Sequence, residues 1–438
     1  MRSSQRHLCL AAKGLLTLAC LCLAAACSLE TPLVGASREI SPGRSEWLIL
    51  LFMSADNELS PYALDDLNEL ESIDLEGTGI TVVDLVDGPA GESVLLEIAH
   101  DPNGLDPRIV SRSLRCDELS LPGDAGHGGE LNTGDPAVLA TTLSWLDQRY
   151  RPANTALVVW GHGSGYYAHG FDDTHADPLT TTELGTALDG AGVEVVAFDT
   201  SMGATVEVAY ELSGRAGLMI ASQAIVPLTG WDYRLFLEAL LASAGSRPLS
   251  PGEVADAALI AYRQAHGSEP GACLSVVDLR RVSDAVAGVN ALAAAMVEAL
   301  DSGVSGEAIR HALFYDTLGF FATPGDLSID LRDMARVLGD LLAPVRLQAA
   351  TLREAIDRAV IASTVAGDES NPGAPPGGIS IHLIPLLSDG TSAPSHHESY
   401  QRRTDTDTPA LRFVRDSFWV PVIPQGSGLL HRLFYPSP

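Results

Sequence analysis

Along this chain, short unbroken apolar runs alternate with amphipathic stretches. Trp47 to Met53 is apolar throughout and stops at the polar Ser54-Ala55-Asp56-Asn57. A run like that reads as a parallel strand buried on both faces. Pro61 to Leu70 follows with Leu64, Leu67 and Leu70 on one helical face. Ile80 to Val86 is the next strand, closed by Asp87-Gly88-Pro89. Residues 97–133 are loop-rich. Gly134-Asp135-Pro136 opens a helix through Tyr150, with Asp135 as its cap and Pro136 in its first turn. Ala156–Trp160, Val193–Phe198 and Gly217–Ala221 are further strands. A polar excursion over 170–182 leads to a helix over Glu183–Leu188, and Thr205–Leu212 is another helix. Beyond them, Asp278–Leu300 and 329–360 are helical, Gly377–Leu383 is a late strand, and 389–408 is a polar loop. Strand and helix in alternation predict a three-layer α/β fold, with a mostly parallel central sheet and helices on both faces.

Composition narrows the class. The chain has 438 residues, 46% of them apolar, which is enough for one large core with an extension. It divides into residues 1–26, a polar tether over 27–45, an α/β core over 46–235, and a C-terminal α/β extension over 236–438 that packs on the core. Formal charge is −29, from 56 acidic and 27 basic residues. Such a surface repels phosphate backbones, which excludes nucleic acid as a partner and favours basic ligands.

The N-terminal segment has its own logic. Arg2, Arg6 and Lys13 precede an apolar run from Gly14 to Ala26, too short for a spanning helix. This is a secretory signal pattern, with an uncleaved anchor as the alternative. Losing those three cations takes the net charge from −29 to −32. Leu23-Ala24-Ala25-Ala26-Cys27 resembles a bacterial lipoprotein box, with its leucine one place further out than usual. On that reading Cys27 is lipidated and ties the chain to a membrane in the periplasm or at the outer surface. Plain cleavage after Ala-x-Ala would leave a secreted protein. Four of the six cysteines lie in this segment, leaving Cys116 and Cys273, which do not make a disulfide scaffold.

Two motifs follow buried strands. His162 lies in Gly161-His162-Gly163-Ser164-Gly165, just after Trp160. Ser201 lies in Asp199-Thr200-Ser201-Met202, just after Phe198. In open parallel sheets, ligands bind at the carboxyl ends of strands. If the two strands are neighbours, an imidazole and a hydroxyl share one crevice, the minimal base and nucleophile. Strand ends often carry such turns with no chemistry. The Gly-x-Ser-x-Gly elbow is absent, because His162 and Tyr166 stand where its glycines belong.

The ordered set of motifs resembles the clostripain-like cysteine peptidases, relatives of caspases and gingipains. Leu51–Leu59 with Asp66–Leu70, Leu131–Pro136, Val159–Gly165, Phe198–Leu212, Ala221-Ser222-Gln223 and Gly230–Tyr233 carry the resemblance over about residues 46–235. It extends loosely through Leu274–Leu279 and Gly378–Ile381. The resemblance implies a caspase-like fold, with His162 as general base and the N–H groups of Gly163 and Ser201 as oxyanion donors. It also implies that Asp199 holds a basic side chain of the substrate, with Asp232 adding charge. No cofactor is implied except calcium, which some members bind. Asp172, Asp173 and Asp177 are the candidates for it, although their spacing is not that of an EF-hand loop.

One departure changes the expected chemistry. Ser201 stands where the family keeps its nucleophilic cysteine. A thiol is partly thiolate near neutrality, whereas a hydroxyl depends on strong general-base help. Serine hydrolases supply a carboxylate behind the histidine, and the sequence alone assigns none. The leading expectation is an impaired peptidase that binds basic peptide segments. The alternatives are an active endopeptidase cleaving after Arg or Lys, a non-peptidase hydrolase, and a surface-anchored structural protein.

Overall fold

The computed structural model describes residues 45–88, 93–106, 108–114, 130–244, 247–321, 327–366, 376–383, 400, 402–403, 410–420, 422–423 and 427–434. The signal segment, Cys27, most of the tether, Cys116 and the 391–399 stretch with His396 and His397 lie outside them.

In chain order the first half runs β1 (Trp47–Ser54), α1 (Ser60–Glu71), β2 (Ile80–Asp87), β3 (Val94–Glu97), β4 (Arg112–Leu114), α2 (Pro136–Tyr150), β5 (Asn154–Trp160), β6 (Ala168–Asp172), β7 (Asp177–Thr180), α3 (Thr181–Ala187), β8 (Val195–Asp199), α4 (Val206–Leu212) and β9 (Leu218–Ala221). The second half adds α5 (Tyr233–Ser243), α6 (Pro251–His266), β10 (Cys273–Asp278), α7 (Val282–Asp301), α8 (Gly306–His311), β11 (Gly319–Phe321), β12 (Leu327–Asp330), α9 (Leu331–Leu341), α10 (Arg346–Ala359), β13 (Val360–Val365) and β14 (Ser380–Leu383).

The main sheet has strand order β13-β10-β9-β8-β5-β1-β2-β3-β4. Its centre, from β9 to β2, is parallel, and both edges are antiparallel. The apolar run of β1 alternates between two cores, as a strand's period of two requires. Leu48, Leu50 and Phe52 face one core, and Trp47, Ile49, Leu51 and Met53 face the other. The first core is covered by α2, α3, α4, α7, α9 and α10, and the second by α1, α5 and α6. Each fully buried Leu, Ile or Phe contributes roughly 1.5–3 kcal/mol, so the sheet centre is where most stability resides. The result is the expected three-layer α/β fold.

Two readings change. The stretch over 170–182 contains the hairpin β6–β7. The helical reading of 329–360 begins inside β12 and ends at β13, which pairs with β10 and extends the main sheet. The C-terminal extension is joined to the core by β10, which pairs antiparallel with β9. The helical stretch Leu279–Asp301, which contains α7, is long and apolar enough to cross a bilayer. However, Val282, Val286, Val289, Leu292 and Met296 are buried along one face, which marks it as a core helix.

Candidate active site

Strands β5 and β8 are parallel neighbours, with Trp160 opposite Asp199. Two residues beyond each partner stand His162 and Ser201, so both arrive at the same edge of the sheet. Their loops touch. A Cβ on Gly163 would lie 2.3 Å from the Ser201 carbonyl oxygen and 2.8 Å from its nitrogen, so only glycine permits this approach. We expect Gly163→Ala to lower stability by about 2 kcal/mol by forcing the two loops apart. Denaturant unfolding would show it, and an unchanged midpoint would mean the loops are not in contact.

The turn carrying Ser201 is strained and clamped. Met202 has φ of 60°, left-handed for a residue with a side chain. Its N–H donates to Ala224 O at 3.0 Å, and Ala204 N–H donates to Ser222 O at 2.9 Å. Thr205 then caps α4 by accepting from Val208 N. From the extension, Ser380 N donates to Ala204 O at 2.8 Å, and Gln223 joins Asp330 and Ser380. The Ser201 hydroxyl oxygen accepts from Val226 N–H at 3.1 Å. Among the described residues no hydrogen bond joins it to His162, and the N–H groups of Gly163 and Ser201 donate to no other group.

His162 is held from the other side. Its Nε2 lies 3.2 Å from Glu58 Oε1, at ion-pair distance but without hydrogen-bond alignment. Glu58 sits in the turn between β1 and α1. Asn57 Nδ2 fixes that turn by donating to Ser54 O at 3.0 Å and to Phe171 O at 2.9 Å. No motif in the chain announces this pairing, because only the adjacency of β1 and β5 creates it.

Asp199 is 4% exposed. Its Oδ2 accepts from Trp231 N–H at 3.0 Å and from Tyr233 OH at 2.9 Å. Its Oδ1 is buried without a partner. Burial pushes this carboxyl up to about 6, against the pull of those two donors and of His266. Gly230, with φ of 60°, passes so close that a Cβ would meet Oδ2 at 2.7 Å. Asp232 lends its charge to Glu69, whose carboxyl is pushed up to about 7 by burial first and this charge second. The Asp232 carboxylate caps α5 through Leu235 N at 2.7 Å and lies 3.6 Å from Arg234.

Further acid lies behind Asp199. Asp66 accepts from Trp160 Nε1 at 2.7 Å. Burial raises its pKa well above the ordinary range, and the nearby charge of Asp199 adds to this. Asp66 also lines a cavity of about 410 Å³ with Asp65, Glu69, Asp106, Tyr62, Leu105 and Thr229. The loop beside it exposes Ile225 and Leu228. Asp65, Asp66, Glu69 and Asp106 make this cavity acidic, and Asp199 lies outside its lining.

A second histidine, missed in the sequence, stands beneath the Ser201 turn. His169 is fully buried, with Nδ1 2.8 Å from Thr200 Oγ1 and its ring against Phe198. Burial lowers its pKa to about 3, which keeps it neutral as a support for the turn.

The calcium candidates do not converge. Asp172 is buried and accepts from Thr133 N at 3.0 Å and His175 N at 2.8 Å. Asp177 accepts from Asn132 Nδ2 at 2.8 Å, and Asp173 is exposed. Among the described residues no group of three or more His, Cys, Asp or Glu is placed to hold a metal ion. These residues do not fit the cation.

Residues 51–383 match the clostripain family. Clostripain of Hathewaya histolytica is 25% identical over 229 residues, which is 45% of this chain and 43% of that protein. The match therefore spans under half the length of that relative. A secreted C11 cysteine protease from Bacteroides thetaiotaomicron, solved with an irreversible peptide inhibitor, superposes with a TM-score of 0.58 at 19% identity, covering 81% of this chain and 96% of that one. An inactive zymogen C11 protease from Parabacteroides distasonis superposes with a TM-score of 0.60 at 17% identity, covering 82% and 97%. At these identities the structural likeness speaks to the fold.

Proposed function

Because the chain belongs to the clostripain family, we propose that it is a peptidase homologue binding peptide segments with Arg or Lys side chains, its turnover held far below that of a cysteine enzyme by Ser201. The unpartnered Oδ1 of Asp199 carries the reading. A buried carboxylate oxygen with no donor is costly, and an entering guanidinium or ammonium supplies the missing donor and charge. The cavity that Asp66 lines, within reach of the Asp199 charge, is acidic, and with the chain's negative charge it draws the same ligand.

The other residues act on the scissile bond. Ser201 presents its hydroxyl at the crest of the strained turn. His162 takes its proton, and the N–H groups of Gly163 and Ser201 face the oxygen that becomes negative. Serine makes the first step slow because its proton must leave during attack. Export through the N-terminal segment, with Cys27 as a lipid anchor, suits a protein that meets peptides outside the cytoplasm. The secreted Bacteroides relative supports that placement.

Calorimetry with a short peptide ending in Arg, against the same peptide ending in neutral citrulline, tests the proposal. We expect on the order of 100-fold tighter binding of the Arg peptide, as loss of one partner from a buried charge pair implies. Equal affinity for the two would overturn it. A second reading, an active serine endopeptidase cleaving after Arg or Lys, is favoured by the carboxylate beside His162.

A further inference from the structure

We propose that Glu58 is a positioning residue for His162, supplying the carboxylate that serine needs where the family keeps cysteine. The inference rests on reading Ser201 and His162 as the reacting pair. An imidazole has two nitrogens, and the partner of one fixes the role of the other. Nε2 faces Glu58 Oε1 at 3.2 Å. The contact is at ion-pair distance without hydrogen-bond alignment; a small turn of the exposed Glu58 side chain would bring its carboxylate onto an Nε2 proton and leave Nδ1 with the lone pair that can take the Ser201 proton.

The placement is built into the fold. Strands β1 and β5 are in register, with Met53 opposite Trp160, so the turns that follow them emerge together. Asp56 Oδ2 accepts from Thr174 N at 2.7 Å, and Asn57 Oδ1 accepts from Leu59 N at 2.9 Å. These bonds brace the turn on both sides of Glu58. The Glu58 side chain is itself 76% exposed and that of His162 is 38% exposed. A pair so exposed adds little to folding stability. Its consequence is orientation of the ring, which strengthens when a bound peptide covers the crevice and excludes water.

Glu58 assists transfer of the peptide acyl group to Ser201. Ser201 Oγ bonds to the peptide carbonyl carbon while its proton passes to His162 Nδ1. The carbonyl π pair moves onto oxygen, facing the Gly163 and Ser201 N–H groups. Collapse breaks the C–N bond, and the proton on Nδ1 goes to the departing amine. Water then adds to the ester by the same route, releasing the acid and restoring the hydroxyl. Throughout, the Glu58 side chain faces Nε2 and stabilises the transient imidazolium.

A thiol is far less dependent on this help, because its thiolate exists before attack. The test compares Glu58→Gln and Glu58→Asp in the wild-type and Ser201→Cys backgrounds. The readouts are the rate at which an arginine-mimetic aryl phosphonate labels Ser201, hydrolysis of an Arg peptide amide by the Ser201→Cys proteins, and Arg-peptide affinity. With Ser201 in place, we expect Glu58→Gln to slow labelling on the order of tenfold or more, within the range of general acid–base assistance. Affinity should hold, and Glu58→Asp should recover part of the rate. In the Ser201→Cys background the loss in hydrolysis should stay under about threefold.

Equal losses in the two backgrounds would show a merely structural role and overturn the inference, as would no loss with Ser201. Unlabelled wild type beside an active Ser201→Cys variant would overturn the role of Glu58 while leaving the peptidase cleft standing. Silence in both backgrounds with no Arg-peptide binding would overturn the proposed function and this inference together.

Discussion

Replacing Ser201 by cysteine should raise hydrolysis of Arg and Lys peptide amides by roughly 10²–10⁴-fold, the range that general acid–base assistance is worth. The wild-type hydroxyl oxygen is engaged by Val226 N–H at 3.1 Å, and no bond to His162 is formed among the described residues. The hydroxyl thus begins without a base in contact. A sulfur at the same place needs less, because a cysteine beside a histidine carries thiolate near neutral pH. It is also a poorer acceptor for Val226 N–H. The measurement is kcat and KM for a peptide amide, with Ser201→Cys/His162→Ala as control. KM should match wild-type affinity, because Asp199 is untouched. The control should lose most of the gain. A cysteine variant that binds the peptide but cleaves no faster than wild type would mean that the cleft does not bring a scissile bond to position 201.

Much of this architecture can be read from the chain. The parallel strands β1, β2, β5, β8 and β9 are buried on both faces, so each appears as a mainly apolar run ending in a polar turn, with the buried Asp84 of β2 as the exception. His162 and Ser201 are legible because each directly follows such a run. The hairpin β6–β7 is not, because Ala-His-Gly-Phe-Asp and Asp-Pro-Leu-Thr are short and mixed in polarity. Strand β13 joins α10 without a break, so its start reads as the end of a helix. Its Val360, Ile361, Thr364 and Val365 are the β-branched signal for a strand. Asp232 directly precedes the apolar face of α5 and is a cap by position. Glu58 is beyond reach for a different reason. It lies 104 positions before His162, and only the strand order of the sheet makes the two neighbours.

Asp199→Asn should separate function from stability at one side chain. The amide keeps an oxygen for Trp231 N–H and Tyr233 OH but removes the charge that receives Arg. Affinity for an Arg peptide should fall on the order of 100-fold or more, as expected when one partner of a buried charge pair is lost. Stability should move the other way. The folded carboxyl has its pKa raised to about 6, against an ordinary value of 3.8. The folded state therefore holds the proton more tightly than the unfolded chain does. The stability linked to that proton is present below pH 3.8 and is lost as pH rises through 6. Above pH 6 the wild type carries the full cost of an ionised, half-satisfied carboxylate, up to about 3 kcal/mol. The asparagine variant escapes that cost, less what its own buried amide hydrogens lose. Its melting temperature should exceed the wild type's at pH 8 and approach or fall below it at pH 4. Saturating Arg peptide should close the gap at pH 8 by stabilising the wild type alone, because a ligand stabilises only a state that binds it. For the same reason wild-type affinity should fall as pH drops through about 6, where Asp199 takes up its proton. A variant equally destabilised at both pH values, with its Arg affinity intact, would remove Asp199 from the cleft and leave it as a strand-end acceptor.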